Sequence, residues 1–428
     1  MKGERLSRLD RAHIVHPHQV VGHPLEPLIL RSARGAVITD VDGNDYIDGT
    51  CGLWQCLVGH GRDELADVAA DQMRRLEFYA SFWDLSNEPA IELAERLSAI
   101  APAGIDHVFY TNGGSEGVET AIKTARLAWH ASGAPERTVI LSRSMAYHGV
   151  GYGSLSATGI PPLREGFGPL AEGFVHLTAP YPLRVPDCTE TCVAELEETI
   201  ARLGAERIAA MIGEPVLGVA GMIPPPDDYW PRIAAVLQRH GILLILDEIV
   251  TAYGRTGRWF AAERWGGVPA DMIVTAKGLT SGYVPMGAVL IGDRVMRMLD
   301  GTRLAHGFTY NGHPTGAAVA LRNLEIIERE GLLGRAVEQG ERLLRALRTA
   351  EGLPAVAEVR GVGLMAGVEL NAPADGAELS ARIRRRGAIV RATGQKLVLS
   401  PPLVIEPEQV DRLADIICSE LAETPVPA

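Results

Sequence analysis

The stretch "GILLILDEIV", residues 241–250, places five apolar side chains in a row and then two carboxylates. A short, wholly apolar run of this kind is a strand buried on both faces. It is not a half-exposed strand, in which apolar and polar residues would alternate. Comparable runs flank it on both sides: "HVFY" (107–110), "TVILS" (138–142), "IAAMIGE" (208–214), "DMIVTA" (271–276) and "GAVLIG" (287–292). Between and before them lie segments with helical periodicity, such as "ELADVAADQMRRL" (64–76) and "AIELAERLSAI" (90–100). Buried strands alternating with helices predict an α/β fold, with a mostly parallel sheet covered on both faces. In such sheets ligands collect at the carboxyl ends of the strands.

Residues 1–59 have a different texture, with "VITDVDGNDYIDGT" (37–50) reading as a hairpin turning at Asp42-Gly43 and Asn44. The large sheet domain is expected over residues 60–315. Beyond it, residues 316–428 carry two long helices, a strand "GLMAGVEL", the helix "SARIRRRG", a strand "KLVLSPPLVI" and a closing helix. That segment reads as a smaller α+β domain. It is expected to pack with residues 1–59, since neither is long enough to form a generous core alone.

The 428 residues suffice for two or three domains, and 46% hydrophobic with 22% charged residues is ordinary for a globular protein. A net charge of −12 disfavours nucleic acid as a partner and favours small metabolites. "MKGERLSRLDRAHIV" has no apolar core of a secretory signal, and no run reaches the roughly 18 apolar residues of a membrane span. Five cysteines, an odd count, argue for reduced thiols in a cytoplasm. Cys188 and Cys192 lack a second pair at ligand spacing, so no metal site is expected.

Of the 41 basic residues only four are lysines: Lys2, Lys123, Lys277 and Lys396. A lysine kept against that bias is a candidate for work a guanidinium cannot do, because only an amine loses its proton readily when desolvated. Lys2 and Lys123 read as surface residues. Lys277 follows the apolar run Met272 to Val274 and precedes Gly278, where a strand gives way to a loop.

Other strand ends carry their own chemistry. In "FYTNGGSEGVETAIKTARLAW" (109–129) a strand meets Gly113-Gly114-Ser115 and then a helix with Val118, Ala121, Ile122, Ala125 and Trp129 on one face. By itself this is either an anion cradle at a helix start or a tight turn capped by Ser115. Asp247 is either a helix cap or a buried carboxylate that calls for a cation. Glu214 ends "AAMIGEPV" in the same way. In "RSMAYHGVGYGS" (143–154) Tyr147 offers a face for a planar ring, and His148 is either a base or a structural residue. "RGVGLMAG" (360–367) runs into a strand, the wrong order for a dinucleotide fingerprint. Together the parts fit a ligand with a phosphate, a flat cationic ring and an aldehyde. That ligand is pyridoxal phosphate, whose chemistry needs a Schiff-base lysine and an acid for the ring nitrogen.

From about Asp40 onward the chain resembles the class III, omega-type aminotransferases of the fold type I pyridoxal-phosphate enzymes. The resemblance rests on the ordered motifs "TNGGSE", "YHG", "GEPV", "LDEIVTAYGRTG", "TAKGLTSGYVPMGA", "HGFTYNGHP" and "RGVGLMAGVEL". It implies that Lys277 carries the cofactor and that Asp247 pairs with its ring nitrogen. Gly114 and Ser115 would hold the phosphate, Tyr147 and Ile249 would cover the two ring faces, and Glu214 would support the ring's surroundings. Thr309 would reach the phosphate of a partner subunit, which implies a homodimer with shared active sites or a higher oligomer built from it. Gly113 departs from the serine more usual there.

On the substrate side, the resemblance gives Arg391 the acceptor's carboxylate and makes Trp54 and Phe82, or Trp83 in its place, pocket aromatics beside Tyr147. The implied activity moves an amino group from an amine or omega-amino acid to a keto acid such as pyruvate. Alternatives of the same family are an aminomutase and a biosynthetic transaminase for a diamine or a natural-product aldehyde. A cofactor-sensing regulator would require a DNA-binding domain, and no residues are left over for one.

Overall fold

The computed structural model describes residues 2–22 and 26–425. Its centre is a seven-stranded sheet. In spatial order the strands are Ile105–Thr111, Gly287–Gly292, Met272–Thr275, Leu243–Asp247, Ile208–Gly213, Val139–Arg143 and Phe174–Leu177. Gly287–Gly292 runs antiparallel to both its neighbours, and the other pairings are parallel. Every residue of Ile208–Gly213, Leu243–Asp247, Met272–Thr275 and Gly287–Gly292 is buried. The uninterrupted apolar runs therefore follow from position, because these strands have helices or sheet neighbours on all sides. Each fully buried leucine or isoleucine contributes roughly 1.5–3 kcal/mol.

Helix Gly114–Ala131 lays Val118, Ala121, Ile122 and Ala125 on the sheet. Trp129 at its far end is partly buried and donates its indole N–H to the Ala209 carbonyl at 2.9 Å. After Val139–Arg143 the chain moves toward one edge of the sheet, and after Ile208–Gly213 toward the other. The crevice between those two strand ends is the switch point where open α/β sheets bind ligands.

The chain ends meet in a second sheet. Strands Leu30–Arg34, Val37–Asp40 and Asp45–Asp48 form an antiparallel meander, joined by Ala388–Ile389 running parallel to the third strand. A third sheet holds Val356–Val362, Met365–Leu370, Lys396–Leu399 and Arg391–Ala392. The apolar stretch 396–405 is not one long strand. Pairing stops at Leu399, because Pro401 and Pro402 have no N–H to give a ladder. Helix Pro314–Arg329 leads from the large sheet toward this part and buries Asn323 completely.

Candidate active site

Five segments at the carboxyl ends of the central strands line a cavity of about 200 Å³. Gly114, Ser115, Tyr147, Glu214, Asp247, Ile249 and Lys277 all line it, together with His148, Gly149, Val216, Val250 and Thr251.

The helix start at Gly114 leaves its first-turn N–H groups without intrahelical acceptors and aims them at the cavity end, as anion sites do. Gly113 is the N-cap, in extended backbone with no side-chain cap bond. Ser115 is therefore not the cap. Its Oγ instead accepts the Val150 N–H at 3.2 Å and ties the 144–151 loop to the helix. A Cβ on Gly114 would fall 2.7 Å from Ile249 Cδ1, so only glycine lets this turn come so close.

Asp247 ends the all-apolar strand, 3% exposed, and its two oxygens are already engaged. Oδ1 accepts the Ile249 N–H at 3.2 Å, and Oδ2 lies 2.7 Å from His148 Nδ1. An ionised carboxylate only accepts, so Nδ1–H is the donor. His148 is buried, held through its backbone N–H on Thr158 Oγ1 at 2.9 Å, and its Nε2 has no partner among the described residues. Glu214 takes the Tyr147 N–H on Oε1 at 3.0 Å and the Gly218 N–H on Oε2 at 2.9 Å. Burial pushes its carboxyl up and Asp247 adds to this, while His148 and the two amides oppose it.

Lys277 sits at φ +39°, in the left-handed region, immediately after strand Met272–Thr275. Such a backbone costs a non-glycine residue roughly 1–3 kcal/mol and marks functional sites. Burial pulls its amine down to about 8, although Asp247 and Glu214 act in the opposite sense. Arg391 adds to the lowering. A fraction of the amine is thus neutral near physiological pH, far more than for an ordinary lysine, which is what a base and nucleophile requires.

Above it lies Trp54, 3% exposed, with Lys277 Nζ 5.4 Å and Arg391 Cζ 4.8 Å from its ring centre. Cys51, Leu53 and Trp54 all have positive φ, as does Gly52. Buried Asp48 holds this strained segment: it accepts the N–H groups of Thr50 and Gly52, at 2.9 and 2.8 Å, and contacts His60 Nε2 at 2.9 Å. Arg391 lies on the edge strand of the third sheet. Among the described residues no carboxylate pairs with it, and burial lowers its pKa.

Two expected residues lie elsewhere. Phe82 packs beside Trp83 at 5.7 Å and against Gly307, away from this cavity. Thr309 is exposed on the segment next to Tyr310. Trp83 faces solvent and is 88% exposed. Residue roles that the motifs alone did not supply are the pairing of His148 with Asp247, the Asp48–His60 brace, and Asn323 beneath the Lys277 turn. Lys123 is not a bare surface lysine either, since its Nζ lies 3.0 Å from His306 Nδ1.

The site suits pyridoxal phosphate. It offers a desolvated amine, a carboxylate held by His148, and a glycine turn that admits no side chain.

The family model for aminotransferase class-III matches residues 19–421. A putrescine–pyruvate aminotransferase of Pseudomonas aeruginosa is 39% identical over 414 residues, covering 92% of this chain and 91% of that protein. The crystal structure of a thermostable (S)-enantioselective omega-transaminase from Thermomicrobium roseum superposes with a TM-score of 0.96 at 46% identity, covering 98% of each chain. A PLP-bound amine transaminase from an uncultivated Pseudomonas species gives 0.92 at 38% identity, over 96% of this chain and 99% of that one.

Proposed function

The chain belongs to the class III aminotransferases, pyridoxal-phosphate enzymes that move an amino group between an amine and a keto acid, and we propose how its own residues do so. Bound pyridoxal phosphate supplies an aldehyde that holds the amino group and a ring that takes up the electron pair freed when the substrate's C–H bond breaks. Lys277 Nζ is the group that would hold the cofactor. As a free amine it would take the proton from the substrate carbon as general base and return it as general acid. Asp247, held by His148, keeps a proton on the ring nitrogen, which is electrostatic stabilisation of the charge that develops in the ring. Gly114 and Ser115 would hold the phosphate, and Tyr147 and Ile249 would hold the ring. Glu214 orients the Tyr147 loop through its backbone bond.

For the substrates, the reading is supported by the contrast between engaged carboxylates and a cation with which no carboxylate pairs among the described residues. Both oxygens of Glu214 and of Asp247 have donors from the chain, whereas Arg391 has no carboxylate beside Trp54. The two lining carboxylates, Glu214 and Asp247, have donors on both oxygens, which leaves neither free for the second ammonium of a diamine such as putrescine. Arg391 instead suits a keto acid such as pyruvate, or the distal carboxylate of an omega-amino acid, through a bidentate clamp. The donor is then an amine or omega-amino acid. The aminomutase and diamine alternatives have no feature of the site in their favour.

Phe82 and Thr309 lie outside their own chain's cavity, on a face where Trp83 is 88% and Tyr310 56% exposed. That placement supports a homodimer in which the partner subunit's Thr309 reaches the phosphate. The five cysteines are unpaired, in keeping with a cytoplasmic protein. No helix among the described residues is long and apolar enough to cross a membrane.

Borohydride reduction of the holoenzyme followed by peptide mass mapping tests the central role. A pyridoxyl adduct on Lys277 is expected, and its absence there overturns the reading. Donor amines should bleach the bound cofactor's absorbance with release of a carbonyl product, and a keto acid should restore it. A product that keeps its nitrogen would instead favour the mutase.

A further inference from the structure

The turn after strand Met272–Thr275 holds two non-glycine residues in left-handed backbone, Lys277 at φ +39° and Ser281 at φ +50°. The turn's own hydrogen bonds are Leu279 N–H to Ala276, Thr280 N–H to Lys277 and Ser281 N–H to Gly278 at 3.4 Å. Thr280 is further tied to the next residues by its carbonyl, which accepts the Tyr283 N–H at 3.1 Å, and its hydroxyl, which donates to the Val284 carbonyl at 2.6 Å. Isolated, so short and strained a turn would relax, and the direction of Lys277 Nζ would relax with it. What opposes this comes from a distant part of the chain. Asn323 lies in the middle of helix Pro314–Arg329, with 0% exposure. Its Nδ2 donates to the Gly278 carbonyl at 2.9 Å and to the Leu279 carbonyl at 3.0 Å. Its Oδ1 accepts the Ser281 hydroxyl at 2.6 Å.

The carboxamide's orientation is fixed by chemistry, since two carbonyls can only accept and the hydroxyl supplies the remaining proton. One side chain thus clamps three of the four residues that follow Lys277. Ser281 passes the constraint on, because its Oγ also accepts the Val58 N–H at 3.2 Å. Val58 belongs to the loop that carries Trp54. A Cβ on Gly278 would fall 2.5 Å from Leu57 Cδ1, so the side chain of Leu57 from that loop packs directly on the backbone of the turn.

We propose that Asn323 is a positioning residue for Lys277, and that through Ser281 it sets the register between the Lys277 amine and the Trp54 wall. The proposal rests on Lys277 being the catalytic amine. Asn323 is not among the residues lining the cavity; it fixes the turn whose rotation would swing Nζ out of line with the substrate carbon. A misplacement near 1 Å at the reacting atoms typically costs on the order of 100-fold in rate.

The test compares wild type, Asn323→Leu and the milder Ser281→Ala. In cofactor-stripped protein, reductive methylation of Lys277 is followed against pH by peptide mass spectrometry. Wild type should show a midpoint near 8. Asn323→Leu should shift it upward by at least about half a unit, because an amine freed from the buried turn regains water. In the loaded enzyme, Asn323→Leu should lower kcat by about 10- to 100-fold, with KM for the amine within about threefold of wild type. Ser281→Ala should show the same pattern, weaker. If Asn323→Leu keeps its fold, the wild-type midpoint and the wild-type kcat in that variant overturn the proposal. If it does not fold, the same result in Ser281→Ala overturns it. The borohydride map separates the two readings. No adduct on Lys277 in wild type removes the catalytic role, while the methylation midpoint still reports whether Asn323 governs the amine.

Discussion

At the Asp247 end of the cavity each oxygen of Asp247 and Glu214 already has a donor from the chain. On the Trp54 side, Cys51, Leu53 and Trp54 stand in succession at positive φ around Gly52, and among the described residues no carboxylate pairs with Arg391. The first half is finished before any ligand arrives, so it presents a fixed electrostatic environment to one invariant molecule. The second half is held in a costly conformation with one charge unpaired, so part of its binding capacity is left for substrates that differ from one another. Changes in the first half should therefore affect all substrates alike. Changes in the second should discriminate among them.

The largest break in that pattern is Lys277→Arg. A guanidinium keeps its charge under the burial that brings the lysine to about 8, so it can neither attack an aldehyde nor accept a proton. Turnover should fall by about 10⁴-fold or more with every donor, with the fold unchanged by circular dichroism. Retained turnover would remove the premise of the comparison. Next is Asp247→Asn, which keeps the shape and the contact with Ile249 but loses the negative charge beside His148. A drop of about 10²- to 10³-fold in kcat is expected, equal for apolar amines and omega-amino acids. A loss confined to one donor class would show that this end also selects substrates.

Arg391→Leu addresses the other half. Removing a charged hydrogen-bonding partner worth roughly 1.5–3 kcal/mol should raise KM for pyruvate by about 10- to 100-fold. KM for an apolar amine should stay level or fall, since the leucine packs on Trp54 without a desolvated charge. Steady-state kinetics with each substrate varied in turn decides it. Equal losses for both would mean that Arg391 serves the fold.

The two halves were also unequally legible in the sequence. Glu214, Asp247 and Lys277 stand out because a polar residue closing an all-apolar strand has few structural reasons to be there, and parallel strands deliver such ends to one edge of the sheet. Gly114 and Ser115 are marked in the same way by the turn into a long helix. Nothing local announces the Trp54 loop. Apart from Gly52, its left-handed residues are a cysteine, a leucine and a tryptophan, which resist that conformation, and the bonds that hold it come from Asp48, braced by His60. Asn323 is hidden for a related reason, since a mid-helix asparagine looks like a surface residue until the helix is packed against the Lys277 turn. Trp54 and Arg391 were reached through family resemblance, because an arginine near "RIRRRG" is indistinguishable by pattern from its solvated neighbours.

The smallest effect expected is on the brace of the strained loop, and it carries a sign that can be checked. Burial pulls the His60 imidazole down, but its bonds to Asp48 and Cys56 outweigh this and raise it from 6.5 to about 10. A group whose pKa rises on folding stabilises the folded form fully below its unfolded value. Its contribution is then lost as pH climbs through the folded value. The loop 51–58 should thus be most protected below about pH 6.5 and loosen progressively toward pH 10. Hydrogen exchange of its amides, corrected for the intrinsic rate, reads this directly. In His60→Gln the protection should fall by roughly 1–3 kcal/mol at pH 6, since buried Asp48 keeps only its bonds to Thr50 and Gly52. The pH dependence between 6.5 and 10 should flatten, while the amides around Asp247 keep their wild-type protection. A uniform loss across both halves would mean that the strain of the Trp54 segment is shared by the whole cavity, and the division between a finished half and a loaded one would no longer describe the molecule.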